Sequence, residues 1–185
     1  MLISNGPDGP VANAIPFLLD AATAPNGRLR AHLAKANPHW RLIADNPASP
    51  VLIVFQGTDA YVTPSWYETK RQTGKVVPTW NYVAIHASGP LEMFDDADRL
   101  LDLVTRLTRR HEGGRAAPWA VSDAPADFVR GQLKGIVGFA LPIARLEGKW
   151  KMSQNRPAAD RAGVAEGLGA EGREDVAALV PVERG

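Results

Sequence analysis

Apolar positions change their spacing several times along the chain, and each change marks an element. "MLIS" followed by "NGPDGP" reads as a strand entering a tight turn, with Gly6 and Gly9 free to take positive φ. "VANAIPFLLD" (11–20) returns as a second strand, in which Pro16 demands an edge or a bulge. "PNG" (25–27) is a further turn. "RLRAHL" (28–33) alternates strictly, with Arg28, Arg30 and His32 on one face and Leu29, Ala31 and Leu33 on the other. "ANPHWRLIAD" (36–45) predicts a short helix with Asn37 as its cap and Pro38 in its first position.

"PVLIVFQG" (50–57) is apolar and β-branched, the pattern of a strand buried on both faces. "WNYVAIHASGPLEMF" (80–94) predicts a long strand with a corner at Ser88-Gly89-Pro90. "DDADRLLDLVTRLTRRHE" (95–112) is the clearest helix: Leu100, Val104 and Leu107 form its stripe, acids open it and Arg109, Arg110 and His111 close it. A weaker helix spans 124–135, and 136–148 reads as a last strand bent at Gly138 and Pro142. The Ala-rich remainder is helical in pattern. The sum is about six strands joined mostly by short turns, an α+β, mainly β chain whose best fit is an antiparallel split barrel with peripheral helices and a helical tail. Residues 1–156 are expected to form the barrel domain and 157–185 a helical extension packed on it.

Composition removes several function classes. The chain has 21 Lys+Arg against 20 Asp+Glu, so no overall field draws it to nucleic acid or acidic lipid. Absent cysteine excludes disulfides and thiolate chemistry, and suits a cytoplasmic protein. The run Val51 to Phe55 is far too short to span a bilayer, and the N-terminus has no signal-peptide pattern. No GxGxxG, P-loop or GxSxG occurs, and His32, His39, His86 and His111 show no metal-ligand spacing.

Three stretches carry candidate chemistry. In "HLAKANPHW" (32–40), a strand ends, Lys35 follows and a helix opens at Asn37, an arrangement suited to a phosphate; the alternative is an ordinary cap with a solvated lysine. "PSWYETKRQTGKVVPTWNY" (64–82) interleaves Trp66, Tyr67, Trp80 and Tyr82 with cations, hydroxyls and amides, and its "TGK" at Gly74 is expected to be a mobile turn. "KWKMSQN" (149–155) adds Trp150, Lys151, Ser153, Gln154 and Asn155. A flavin mononucleotide needs this mixture, since its phosphate takes cations and hydroxyls, its ring takes apolar walls and its pyrimidine edge takes amides. For each tryptophan the competing reading is a core or dimer-interface residue.

With "HLAKANPHW", "VFQGTDAYVTPSWYETK", "VPTWNYVAIHASG", "LKGIVGF" and "EGKWKMSQNRPAADRAGV" in this order, nearly the whole chain resembles the PaiB-like family of FMN-binding negative transcriptional regulators. That family belongs to the FMN-binding split-barrel superfamily, alongside pyridoxamine phosphate oxidase and flavin reductases. The resemblance implies FMN held in a groove of a homodimer. Carried over, it nominates Lys35, Asn37 and His39 for the phosphate, then Trp66, Lys70, Thr79, Trp80 and Asn81 for the groove or dimer seam. Lys151, Ser153, Gln154 and Asn155 would approach from the last strand. Two features depart from the pattern: relatives usually begin with a further helix, and they often have a histidine where Ala14 and Ile15 precede Pro16. Repression of transcription is the implied role, with Lys70, Arg71 and Lys75 as the local basic patch. A flavin-dependent oxidoreductase is the alternative, with His39 and His86 as weak candidates for proton transfer. A dimer with a degenerate groove, or one holding another planar ligand such as haem, is the third.

Overall fold

The computed structural model describes residues 1–23, 25–47 and 49–182. The last three positions of the expected C-terminal extension lie outside the described residues. Among the described residues there are nine strands: β1 (Leu2–Gly6), β2 (Gly9–Asn13), β3 (Leu18–Asp20), β4 (Arg28–Ala34), β5 (Val51–Val62), β6 (Thr79–Gly89), β7 (Glu92–Phe94), β8 (Ile136–Pro142) and β9 (Arg145–Lys151). The longer helices are α1 (His39–Ala44), α2 (Glu68–Thr73), α3 (Ala97–Glu112), α4 (Ala126–Lys134), α5 (Ala158–Ala170) and α6 (Glu174–Ala177). The strands form two antiparallel sheets, ordered β2-β1-β5-β6-β9 and β3-β4-β8-β7, in a split-barrel architecture.

Nine replaces the expected six because three predicted strands each divide, and all three breaks fall at proline. Pro16 separates β2 from β3, Pro90 separates β6 from β7, and β8 ends at Pro142. A residue without an N–H cannot continue a ladder, so the chain turns there and enters the other sheet. The last two corners meet. Ala144 N donates to Ser88 O at 3.0 Å. A Cβ on Gly89 would run into the carbonyl oxygen of Pro142, so only glycine allows this approach.

By its internal contacts the chain divides into two compact units. Unit 1 comprises Met1–Val54 and His86–Leu146, and unit 2 comprises Phe55–Ile85 and Glu147–Gly185. In unit 1, β4 buries Leu29, Ala31 and Leu33 as its alternation predicts. These join Leu2, Ile53, Phe139 and Leu141 in one core. Helix α3 is capped by Asp96, whose side chain accepts from Arg99 N at 2.9 Å. It buries Leu100, Leu103 and Leu107 beside Phe94, each such leucine contributing about 2 kcal/mol.

Strand β5 is not buried on both faces. Val51 and Ile53 are buried in unit 1, but from Phe55 onward the pattern inverts and Ala60 and Val62 are the buried positions. The same strand thus serves one core with its odd positions and another with its even ones. The second core, in unit 2, gathers Ala60, Val62, Tyr67 and Met152 with Val164 and Leu168 of α5. Helix α5 carries Gly163 and Gly167 against Trp66: a Cβ at either position would overlap the Trp66 carbonyl or indole.

Candidate functional site

In unit 1, Lys35, Asn37 and His39 stand together at the end of β4 and the start of α1. Lys35 N donates to Gly135 O at 2.7 Å and Asn37 N to Ala34 O at 2.9 Å. His39 N donates to Asn37 Oδ1 at 3.0 Å. The backbone donors expected to be free for a phosphate at these three residues are therefore all occupied. Pro38, not Asn37, takes the cap position of α1, although the Asn37 side chain still receives an N–H of the first turn.

His39 is 1% exposed, and a directional chain of hydrogen bonds fixes its protonation. Because the His39 N–H donates to Asn37 Oδ1, the other Asn37 atom, Nδ2, must be the donor to Asn13 Oδ1, at 2.9 Å. Asn13 Nδ2 in turn donates to His39 Nδ1 at 2.8 Å, which leaves Nε2 to carry the proton toward Ser4 Oγ at 2.8 Å. Burial lowers the His39 pKa, and protonating Nδ1 would set two donors against each other. Both ring nitrogens are spent inside the protein, so His39 is poorly suited to the ligand or proton-transfer role its sequence context raised.

In unit 2 the start of β6 and the end of β9 assemble most of the remaining positions. Lys151 Nζ donates to Trp80 O at 2.7 Å and also to Thr79 Oγ1. It lies 5.9 Å from the Tyr82 ring centroid. An ammonium has three protons, so one remains for a ligand. Trp80 is 53% exposed and meets the half-exposed Tyr61 edge-on, with ring centroids 6.1 Å apart. Trp150 is 48% exposed.

After β9 the chain turns through Ser153, whose φ of 59° is left-handed. Gln154 holds that turn: Oε1 accepts from Met152 N at 2.6 Å, and Nε2 donates to Trp150 O at 2.5 Å. Ser153 Oγ donates to Asn81 Oδ1 at 3.0 Å, and both residues are buried. Asn81 and Ser153 therefore shape this surface from inside. Asn155 is exposed beside them.

The other nominated residues play different parts. Trp66 is half-buried against α5 and packs the second core. Lys70, on α2, donates to Ser65 Oγ at 3.1 Å, and Arg71 pairs with Glu68, so two of the three cations in the expected basic patch are already engaged. The "TGK" segment is a helix stop: Gly74, at φ 66°, caps α2. Sequence reasoning missed α2 itself and Tyr61, though the inverted burial along β5 follows from the polar stretch Gln56–Asp59 that interrupts its apolar run.

The donor set of unit 2 fits FMN. Flat aromatic faces, a cation with a spare proton, a hydroxyl and amides are what a planar tricycle with a polar edge and a phosphate takes up. Comparison with known proteins decides the family, since the family model described as a putative FMN-binding domain matches residues 1–145. The chain belongs to this family. An uncharacterized protein of Aspergillus fumigatus is 38% identical, covering 86% of this chain and 76% of its own. The protease synthase and sporulation protein PAI 2 of Bacillus subtilis is 35% identical, covering 74% of this chain and 62% of its own. The flavocytochrome Anf3 from Azotobacter vinelandii shares the fold, with a TM-score of 0.54 at 12% identity over 81% of this chain and 60% of its own. This FMN-binding domain is thus homologous to PaiB-like regulators, and the family and the fold support FMN as its cofactor. Among the described residues no helix is long and apolar enough to cross a membrane.

Proposed function

We propose that this FMN-binding domain is a flavin-dependent oxidoreductase whose cofactor is gripped by the unit 2 surface. The observation that carries this reading is the exposure of Trp80 and of Tyr61 packed against it, next to Lys151, which holds the Trp80 carbonyl and keeps one ammonium proton unspent. Thr79, Trp80, Lys151, Gln154 and Asn155 hold the flavin, while Asn81 and Ser153 fix the backbone that presents them. Bound FMN supplies the electron and hydride chemistry; the side chains bind it, orient it and shield one face. The exposed apolar residues of this surface, Val77 among them, are covered by a second copy of the chain.

The test is an absorbance spectrum of the purified protein with FMN after gel filtration, followed by addition of NADPH or NADH. Retained flavin bands that bleach with the nicotinamide support the proposal. A protein that cannot retain FMN overturns it, and retained flavin that neither nicotinamide reduces removes the nicotinamide-linked form. The second reading, a repressor of the PaiB type, draws on the likeness to PAI 2 and on the exposed Lys75. It requires salt-dependent affinity for a defined duplex.

A further inference from the structure

Within unit 1, the second half of α3, the segment 113–124 and α4 line an open cavity of about 750 Å³. That size is typical of pockets that bury small organic ligands. Its wall is largely apolar, with Leu101 and Val129 facing it from the two helices and Trp119 from the loop. Trp119 is unusually open for an indole, at 49% exposure.

The charges are unevenly spent. The cavity's one acid, Glu112, is committed to the frame: Oε2 accepts from Trp119 N at 3.1 Å, and Oε1 pairs with Arg115 Nε at 3.1 Å. Ala120 N donates to Asp123 Oδ2 at 2.9 Å, which fixes the end of the loop. Arg109 from α3 and Arg130 from α4 also line the cavity, and among the described residues neither guanidinium has an acceptor or an acidic partner. An apolar pocket on a braced loop, with its acid neutralised and two cations unspent, is complementary to a flat apolar body bearing one negative charge.

We propose that this cavity binds an aromatic carboxylate, its ring packed against Trp119 and Val129 and its carboxylate held by Arg109 and Arg130. Its lining residues all belong to unit 1, and the acid is expected to bind with or without added FMN.

The test uses the full chain and naphthoate as the probe, titrated by calorimetry and tryptophan fluorescence up to about 1 mM, the weak end of useful affinity. Saturable one-site binding is expected, with the uncharged naphthalenemethanol at least roughly tenfold weaker, since it lacks the charge-assisted bonds. Arg109→Ala combined with Arg130→Ala weakens naphthoate roughly tenfold or more, and Leu101→Glu does so by adding an acid at the mouth. Arg110→Ala, on the same helix but outside the cavity, leaves binding unchanged. Trp119→Phe keeps most of the calorimetric signal and loses most of the fluorescence change. Absent saturation, equal binding of the alcohol, or indifference to the arginine pair overturns the proposal. Displacement of naphthoate by stoichiometric FMN also overturns it, because the pocket would then be a flavin seat.

Discussion

The cluster around His39 in unit 1 and the surface around Lys151 in unit 2 are built from the same kinds of residue, and they end in opposite states. Each gathers an asparagine, a serine or threonine and a cationic or titratable side chain. Around His39 every ring nitrogen has a partner, and the direction of each bond is dictated by one backbone N–H. Around Lys151 the ammonium uses two protons of three, and Trp80, whose carbonyl it holds, lies half in solvent with Tyr61. Residue type does not separate a ligand site from a structural network; the remaining bonding capacity does. A network that is buried and complete specifies the fold, whereas one left open at the surface is available for recognition.

The sharpest way to break this contrast is His39→Leu. It strands the Asn13 amide and the Ser4 hydroxyl in the interior and is expected to cost about 3 kcal/mol of stability. Chemical denaturation of both proteins checks it, and unchanged stability would mean the cluster is not structural. Gly163→Ala makes the matching test in unit 2, where the new methyl meets the Trp66 carbonyl; a loss of about 2 kcal/mol is expected from overpacking against backbone. Trp80→Ala should behave differently from both. Stability should move by less than about 0.5 kcal/mol, as for an exposed side chain, while FMN affinity falls roughly tenfold through lost stacking. Denaturation curves paired with flavin titration separate the two effects.

Much of the scaffold was legible because it depends on local pattern. The alternation of residues 28–33, the acids and cations bracketing α3 and the prolines at the sheet corners each act within a few residues. What was not legible depends on partners distant in the chain. Nothing near His39 announces that Asn13 and Ser4 will complete it. Likewise, Trp66 becomes a packing residue only because Gly163 and Gly167 lie against it. Helix α2 is as short as α1 but opens at Tyr67 with no Asn-Pro start signal, and its clearest signal is the glycine that ends it. The candidate site was therefore readable as a list of residue types. Its division into donors that are spent and donors that are free was not.

The smallest expected effect is on acid stability, and it sharpens the contrast because the buried His39 should contribute to it. Burial lowers the pKa of His39 and of His32 in the folded chain. The unfolded chain, with histidine near about 6.5, therefore binds more protons as the medium becomes acidic. The stabilising contribution of the neutral rings is complete above that value and is lost as pH falls through the lower folded values. A denaturation midpoint measured at successively lower pH should decline once histidine titrates in the unfolded chain. His39→Gln, which can neither charge nor lose its proton, should make that decline shallower without abolishing it, because His32 still titrates. A decline of identical slope in the variant would show that His39 is not held neutral by its amide partners.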